Sequence, residues 1–528
     1  MKETIEKLIK EALKSLGLEV GDFTVEHPTD LKMGDYSTNV GIKTGKAKEI
    51  LTHLETKFPS GVDRIELAGP GFINFYLSKE FFKKSLGEII KKREGYGKND
   101  HAKGLKVMVE HTQLNPFKVF HIGHLMPNVI GSTIARIFEW NGAEVKQANY
   151  QGDKGLHVAK AVWAMMKGEK EDPYAVGSKA YEEDPDAKKE IEVLNKKIYD
   201  KSDEVVNKIY DEGREKSLKY FQKIYERLGT KFDYSFFESE TANIGKKIVE
   251  ENIGKVFEKS EGAIVFKGSH TRVFINSQGL PTYEAKDLGN AKNKYDHYPY
   301  DYSVVVTANE IKDYFKIVLE AMKQVLPELA AKTKHITHGM LKLPTGKMSS
   351  RTGDVITAEG LIEEVKKKVK DDEQVAIGAI KYMILRQAIG NDIIFDIEKS
   401  VSTEGDSGVY LQYAHARTNS LLEKAGTRKS AQHSESVQHS VLHRETHEIE
   451  RLLYRFPEVV ERAGKEFAPH YITTYLTELA GSFNNFYAHE QVIGDSPESS
   501  YRLAIVEAFN IVIKNGLTIL GIPAPERM

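Results

Sequence analysis

Residues 119–131, VFHIGHLMPNVIG, decide how the chain is read. His121 and His124 bracket Gly123 immediately before an apolar run with helical spacing. Ahead of them LKVMVEHT has the composition of a strand. Beyond the helix Leu125–Trp140, AEVKQANYQ has it again. Strand, loop, helix and strand in direct succession predict a parallel βαβ unit. In such sheets the loop at the carboxyl end of the first strand binds ligands. Gly123 allows a nucleotide close to the backbone, the helix N-terminus favours an anion, and two imidazoles can donate to it. The stretch reads as a phosphate site without a P-loop lysine. Two core histidines at a helix start is the plainer alternative.

Outward from that unit the chain divides in three. Residues 1–17 carry an apolar stripe, Ile5, Leu8, Ile9, Ala12, Leu13 and Leu16, closed by Gly17. Short strand-like pieces such as DRIELAGPGFINFYLS follow, predicting a small α+β domain over residues 1–100. Residues 101–395 form the α/β domain, interrupted by a Lys- and Glu-rich helical insertion at about 167–240 that exposes much of its surface. Strands resume at AIVFKG, RVFIN, YSVVVTAN and HITHGML. Residues 396–528 hold helical patterns only, an all-α bundle of amphipathic helices. His443 and His447 are spaced i, i+4 in HRETH, but the order is not H-E-x-x-H and the surroundings are polar, so a solvated linker running into a helix is expected.

Composition narrows the classes. At 528 residues the chain supports three or four domains. A net charge of -2 announces no global basic field, although a local one remains possible. Zero cysteines exclude disulfides and thiolate zinc, so no structural zinc is expected. The charged start MKETIEKLIKEALKSLG does not read as a signal peptide, and no apolar run long enough to span a membrane stands out. A cytoplasmic protein with no membrane partner is the expectation.

A second element, TGKMSSRTGD at 345–354, is a glycine-flanked polar loop in the same α/β domain. Lys347 can set a point charge on phosphates, and Ser349 and Ser350 add hydroxyls. Such a loop can close over a nucleotide during phosphoryl or adenylyl transfer. A small-molecule nucleotidylyltransferase fits these residues too, but would not need the C-terminal bundle.

HIGH followed by KMSS resembles the paired signatures of class I aminoacyl-tRNA synthetases, and the wider pattern resembles the arginyl-tRNA synthetases. GDYSTN and GPGFINFYL, NPFKVFHIGH, LPTYEAKDLGNA, EGDSGVYLQYAHAR and the final LGIPAPERM carry that likeness over nearly the whole chain. It implies a Rossmann-like catalytic domain, an N-terminal domain that touches the tRNA elbow and a helical anticodon-binding domain. It implies activation of L-arginine with ATP and Mg2+ to arginyl-adenylate, then transfer to tRNA(Arg), with bound tRNA needed for activation and a monomer as the working unit. By the resemblance His121, Gly123, His124, Lys347, Ser349 and Ser350 serve ATP. Asn115, Tyr283, Asp287 and Glu310 hold arginine, and Phe72 and Asn74 touch tRNA. Two positions depart from the family's habit: His157 and Glu310 stand where glutamine is common.

Overall fold

The computed structural model describes residues 1–344, 356–426, 446–494 and 497–528. Near the N-terminus, β1 (Val25–Glu26), β2 (Tyr36–Thr38), β3 (Val62–Ala68) and β4 (Phe72–Leu77) form an antiparallel sheet in the order β1-β2-β4-β3. Gly69 and Gly71, at φ 52° and 127°, turn β3 into β4. The predicted stripe of helix Lys2–Ser15 packs Ile5, Ile9, Ala12 and Leu13 into the core beside Ile65, Ile73 and Phe75.

This small core leans on the C-terminal helices. Tyr454 belongs to it. The Tyr36 hydroxyl donates to Glu458 at 2.5 Å, His27 Nε2 lies 3.1 Å from the same carboxylate, and Arg451 stands 3.6 Å from buried Asp35. Helix Lys79–Lys92, capped by the Ser78 hydroxyl, places Phe82 in the small core and Leu86, Ile89 and Ile90 in the main one.

The main sheet is parallel throughout: β5 (Lys106–Glu110), β6 (Glu144–Gln151) and β7 (Tyr234–Phe237) run to one side. Between β7 and the return, β8 (Phe257–Ser260), β9 (Ala263–Lys267) and β10 (Thr271–Ile275) make a separate antiparallel sheet. The expected strands AIVFKG and RVFIN therefore form a hairpin outside the parallel sheet. The chain then comes back to β11 (Tyr302–Ala308), beside β5, and β12 (Thr333–His338), giving the order β12-β11-β5-β6-β7. Strand direction of travel reverses between β5 and β11, so the crevice at their carboxyl ends is the binding position of this doubly wound fold. Both faces are covered, as a parallel sheet requires: Val107, Val109, Val304 and Val306 enter the main core with helix Leu125–Trp140, whereas Met108 packs with Ala148, Tyr150 and Tyr300 opposite.

The charged stretch 167–240 is only partly the helical insertion expected. Helices Pro173–Glu183, Pro185–Asp200 and Glu204–Leu228 begin at Asp172, Asp184 and Asp203, whose side chains accept first-turn N–H groups. The second packs Ile191, Leu194 and Ile198 on Val158 and Val162. The third, however, sends Phe221, Ile224, Tyr225 and Leu228 into the main core and leads to the edge strand β7. Much of the stretch is thus the β6–β7 crossover, its Lys and Glu lying along the outer faces.

Among the described residues no strand follows Ile394. The last helix, Pro497–Leu520, corrects one expectation: it is not amphipathic, and by length and composition alone it could cross a membrane. It instead forms the centre of the bundle, with 78% of its most apolar window buried. Its C-terminal carbonyls are held by two cations, half-buried Arg136, Nε to Ile519 O at 2.9 Å, and buried Lys381, Nζ to Gly521 O at 2.6 Å. Burial holds the Lys381 ammonium well below the usual lysine range. His447 caps helix Glu448–Leu453 and its ring lies edge-on to Phe486; His443 is outside the described residues.

Candidate active site

β5 ends at Glu110, and the following residues cross the carboxyl edge of the sheet to a single 3-10 turn, Ile122–His124, that opens helix Leu125–Trp140. Thr112, Gln113 and Phe117 take φ of 77°, 49° and 71° on the way. Non-glycine residues held there cost of order 1–3 kcal/mol each, a strain that concentrates at ligand-binding loops.

In the turn, His121 Nδ1 accepts the Gly123 N–H at 3.1 Å, and His124 Nδ1 accepts the His121 N–H at 3.3 Å. These bonds assign the hydrogen of each neutral ring to Nε2. The rings stack with centroids 3.7 Å apart. Burial, then Lys118, lowers the His121 pKa to about 4; burial, then His121 and Lys118, holds His124 well below its usual value. Both are therefore neutral at pH 7 and offer Nε2–H donors to an anion. A Cβ at Gly123 would lie 2.9 Å from the His121 ring, so the glycine is required by the ring's own placement.

The segment resuming at residue 356 is stitched to this turn. Ile122 N–H donates to Ile356 O at 3.1 Å, Ala358 N–H to Phe120 O at 2.8 Å, and Thr357 bridges His121. Lys347, Ser349 and Ser350 lie outside the described residues.

Beyond β6, Asp153 is fully buried and accepts from Ser239 N–H at 2.8 Å, Ser239 Oγ at 2.7 Å, Arg214 Nε at 2.9 Å and Tyr210 at 3.3 Å. It ties the crossover helix and the end of β7 to the site. Asn115 Oδ1 accepts the Gly152 N–H at 3.2 Å, leaving the Nδ2 hydrogens to act on a ligand. His157 bonds Gly152 O through Nε2 at 2.8 Å, and its buried Nδ1 has no partner; burial brings its pKa to about 3.

On the other side of the crevice, helix Tyr283–His297 presents residues at four-residue steps. Lys286 pairs with Glu238 and Lys294 with Glu110, each at 2.6 Å and at most 8% exposed. Asp287 has no cationic partner among the described residues; its Oδ2 accepts the Tyr314 hydroxyl at 2.6 Å. Burial, with Glu110, Glu238 and Glu284 adding repulsion, raises its pKa to about 7 against the lowering by Tyr314. Both lysines are neutralised, so Asp287, with Glu284 three residues before it also outside any ion pair among the described residues, leaves negative charge for a cation to meet. Tyr283, 54% exposed, stands at the mouth, its ring centroid 5.0 Å from the Lys286 ammonium. Glu310 lies exposed in the turn after β11.

Comparison with known proteins agrees along the whole chain. The description "tRNA synthetases class I (R), catalytic domain" matches residues 85–397. "Arginyl tRNA synthetase N terminal domain" matches 3–77, and "DALR anticodon binding domain" matches 411–528. An arginine–tRNA ligase of Streptococcus suis is 30% identical, with all of both chains covered. The chain belongs to the arginyl-tRNA synthetase family. Solved arginyl-tRNA synthetases from Thermus thermophilus (24% identity, TM-score 0.75, all of both chains) and Plasmodium falciparum (20% identity, TM-score 0.80, 100% and 99% covered) share its fold. An arginyl-tRNA synthetase joins arginine to tRNA(Arg) at the expense of ATP.

Further residues of this arginyl-tRNA synthetase emerge differently from their sequence reading. Phe72 is 39% exposed at the start of β4, but Asn74 is buried and its Oδ1 accepts the Ser37 hydroxyl at 2.7 Å. The two do not present a joint face. In FNNFYAHE, Phe483 and Phe486 fill the bundle, and Phe483 stacks on Phe509 at 4.2 Å. GDYSTN docks the small domain through Asp35 and Tyr36. Sequence reasoning missed Glu110, Lys118, Glu238, Lys286 and Asn290. An acid closing the apolar run VMVE, and Lys286, Asn290 and Lys294 at steps of four, were the available signals. No group of three or more metal-ligating side chains occurs among the described residues.

Proposed function

We propose that arginine lies in the crevice between β5 and helix Tyr283–His297, with its guanidinium on Asp287 and its α-carboxylate near Asn115. The observation that carries this reading is the Asp287 carboxyl, which has no ion pair among the described residues while Lys286 and Lys294 on the same helix are each held by a glutamate. A guanidinium offers planar, bidentate donors that suit one carboxylate. The Tyr283 phenol closes the mouth, and Glu310, at the end of β11, is the partner of the α-ammonium.

ATP enters as its magnesium complex, the ion riding on the phosphates. The arginine carboxylate oxygen attacks the α-phosphorus, the bond to the β-phosphate bridging oxygen breaks, and pyrophosphate leaves. His121 and His124 donate Nε2–H to the phosphate oxygens with no charge of their own to desolvate. Gly123 lies beneath the nucleotide, and Lys347, Ser349 and Ser350 close on the leaving pyrophosphate. A hydroxyl of the terminal ribose of tRNA then attacks the adenylate's carbonyl carbon, the bond to the phosphate oxygen breaks, and AMP leaves.

Residues 1–100 serve the tRNA elbow through Phe72, while Asn74, buried and bonded to Ser37, fixes the strand beside it. Residues 101–395 carry the chemistry, and 396–528 the anticodon. The protein works as a cytoplasmic monomer and activates arginine only with tRNA bound. The test is arginine binding by calorimetry: Asp287→Asn should weaken it by about 2–5 kcal/mol while leaving ATP affinity unchanged. Unchanged arginine affinity refutes the assignment.

A further inference from the structure

Asn290 stands one turn beyond Asp287 on the same helix and is 4% exposed. Its Nδ2 donates to Glu110 Oε2 at 3.1 Å, an oxygen that also accepts Lys294 Nζ at 2.6 Å. A carboxylate oxygen gripped by an ammonium is an acceptor, so the nitrogen end of the amide must face it. The Oδ1 end is then fixed in direction, fully buried, and without a donor. Buried acceptors are nearly always satisfied, and one that is not calls for an explanation.

The space beside it supplies one. Asn290, Asp287, Glu110, Lys294, Phe315 and Thr333 line a cavity of about 20 Å³. That is room for one water-sized group, which is also the size of one terminal amino group of a guanidinium. Glu110 and Lys294 satisfy each other, so the groups with capacity left are the Asp287 carboxyl and the Asn290 carbonyl.

We infer that Asn290 Oδ1 accepts a terminal N–H of the guanidinium that Asp287 pairs with, making Asn290 a specificity-determining residue of the amino-acid pocket. The inference rests on the reading of Asp287 as the partner of arginine and extends it from charge to hydrogen count. Citrulline, which carries an oxygen in place of one terminal amino group, would set acceptor against acceptor here and is rejected on that account as well as for its missing charge. Lysine brings one nitrogen and cannot both satisfy Asp287 in bidentate fashion and fill the cavity.

The test is ATP–pyrophosphate exchange with tRNA present, run on Asn290→Leu and Asp287→Asn beside the unmodified protein. N290L keeps the volume and removes the acceptor. It should lower kcat/KM for arginine by about 10- to 100-fold, the worth of a hydrogen bond to a charged group, with the ATP KM within about threefold. A folded N290L whose arginine kcat/KM stays within about threefold overturns the inference. If D287N loses arginine and N290L does not, only the role of Asn290 falls. If neither loses it, the pocket reading falls and this inference with it. Should N290L not fold, a crystal structure of the unmodified protein with L-arginine decides: a guanidinium nitrogen within about 3.2 Å of Oδ1 supports the role, and a water between them refutes it.

Discussion

Arginine binding should be governed by the protonation of Asp287, and the dependence can be worked out. Its pKa is raised to about 7, burial being the main cause. A guanidinium needs the carboxylate, so the competent fraction of free protein is about one-half at pH 7, one-eleventh at pH 6 and ten-elevenths at pH 8. Apparent affinity scales with that fraction, and the arginine KM should therefore rise about tenfold from pH 8 to pH 6. His121 at about 4 and His157 at about 3 are silent in this window. The assay is ATP–pyrophosphate exchange at saturating ATP and tRNA, with arginine varied at half-unit pH steps. Asp287→Asn should show a high KM with no slope. The same shift acts on folding with a definite sign. A carboxyl raised above its ordinary 3.8 favours the folded state while protonated and loses that contribution as pH climbs through about 7. Arginine binds the ionised form, so a fixed arginine concentration should raise Tm more at pH 8 than at pH 6. An arginine KM flat from pH 6 to 8, or a slope that survives in Asp287→Asn, would refute the reasoning.

Other perturbations have separable outcomes. His124→Ala and Lys347→Ala should each lower the adenylation rate by about 10- to 1,000-fold with little change in Tm, and full activity in either removes it from the mechanism. Phe72→Ala should weaken tRNA binding by about 5- to 100-fold in a filter-binding assay, as loss of one stacked base does, while the ATP KM stays put. Gly521→Ala should destabilise the bundle by about 1–3 kcal/mol in urea unfolding, because its φ is 67° and a Cβ would lie 2.2 Å from Arg136 Nη2. An unchanged unfolding midpoint would show that Arg136 does not clamp the last helix.

What could be read in the sequence follows the range of the interactions. The strand–loop–helix around His121 is local: apolar alternation, a glycine and a helical stripe sit within a few residues of one another. So does the pairing of Tyr283 with Asp287 on one helix. Glu110 and Lys294, by contrast, are 184 residues apart, and only the return of the chain from β7 to β11 brings them together. Nothing in VMVEHT announces its partner. The charged stretch misled because composition reports the outer face of helix Glu204–Leu228, while Phe221, Ile224 and Leu228 do the packing. GDYSTN marked the family without disclosing its work, which depends on Glu458 and Arg451 from the opposite end of the chain. The last helix reads as amphipathic from its charges, yet most of its length is buried, with only a few residues such as Lys514 and Thr518 left at the surface.

The central claim is that this crevice activates arginine, and only arginine, for tRNA. ATP–pyrophosphate exchange measured with each of the twenty amino acids, with and without tRNA(Arg), tests it most directly. The account predicts exchange with arginine when tRNA is present and background rates otherwise. Exchange with another amino acid at a comparable rate, or none with arginine in the presence of tRNA, would contradict it.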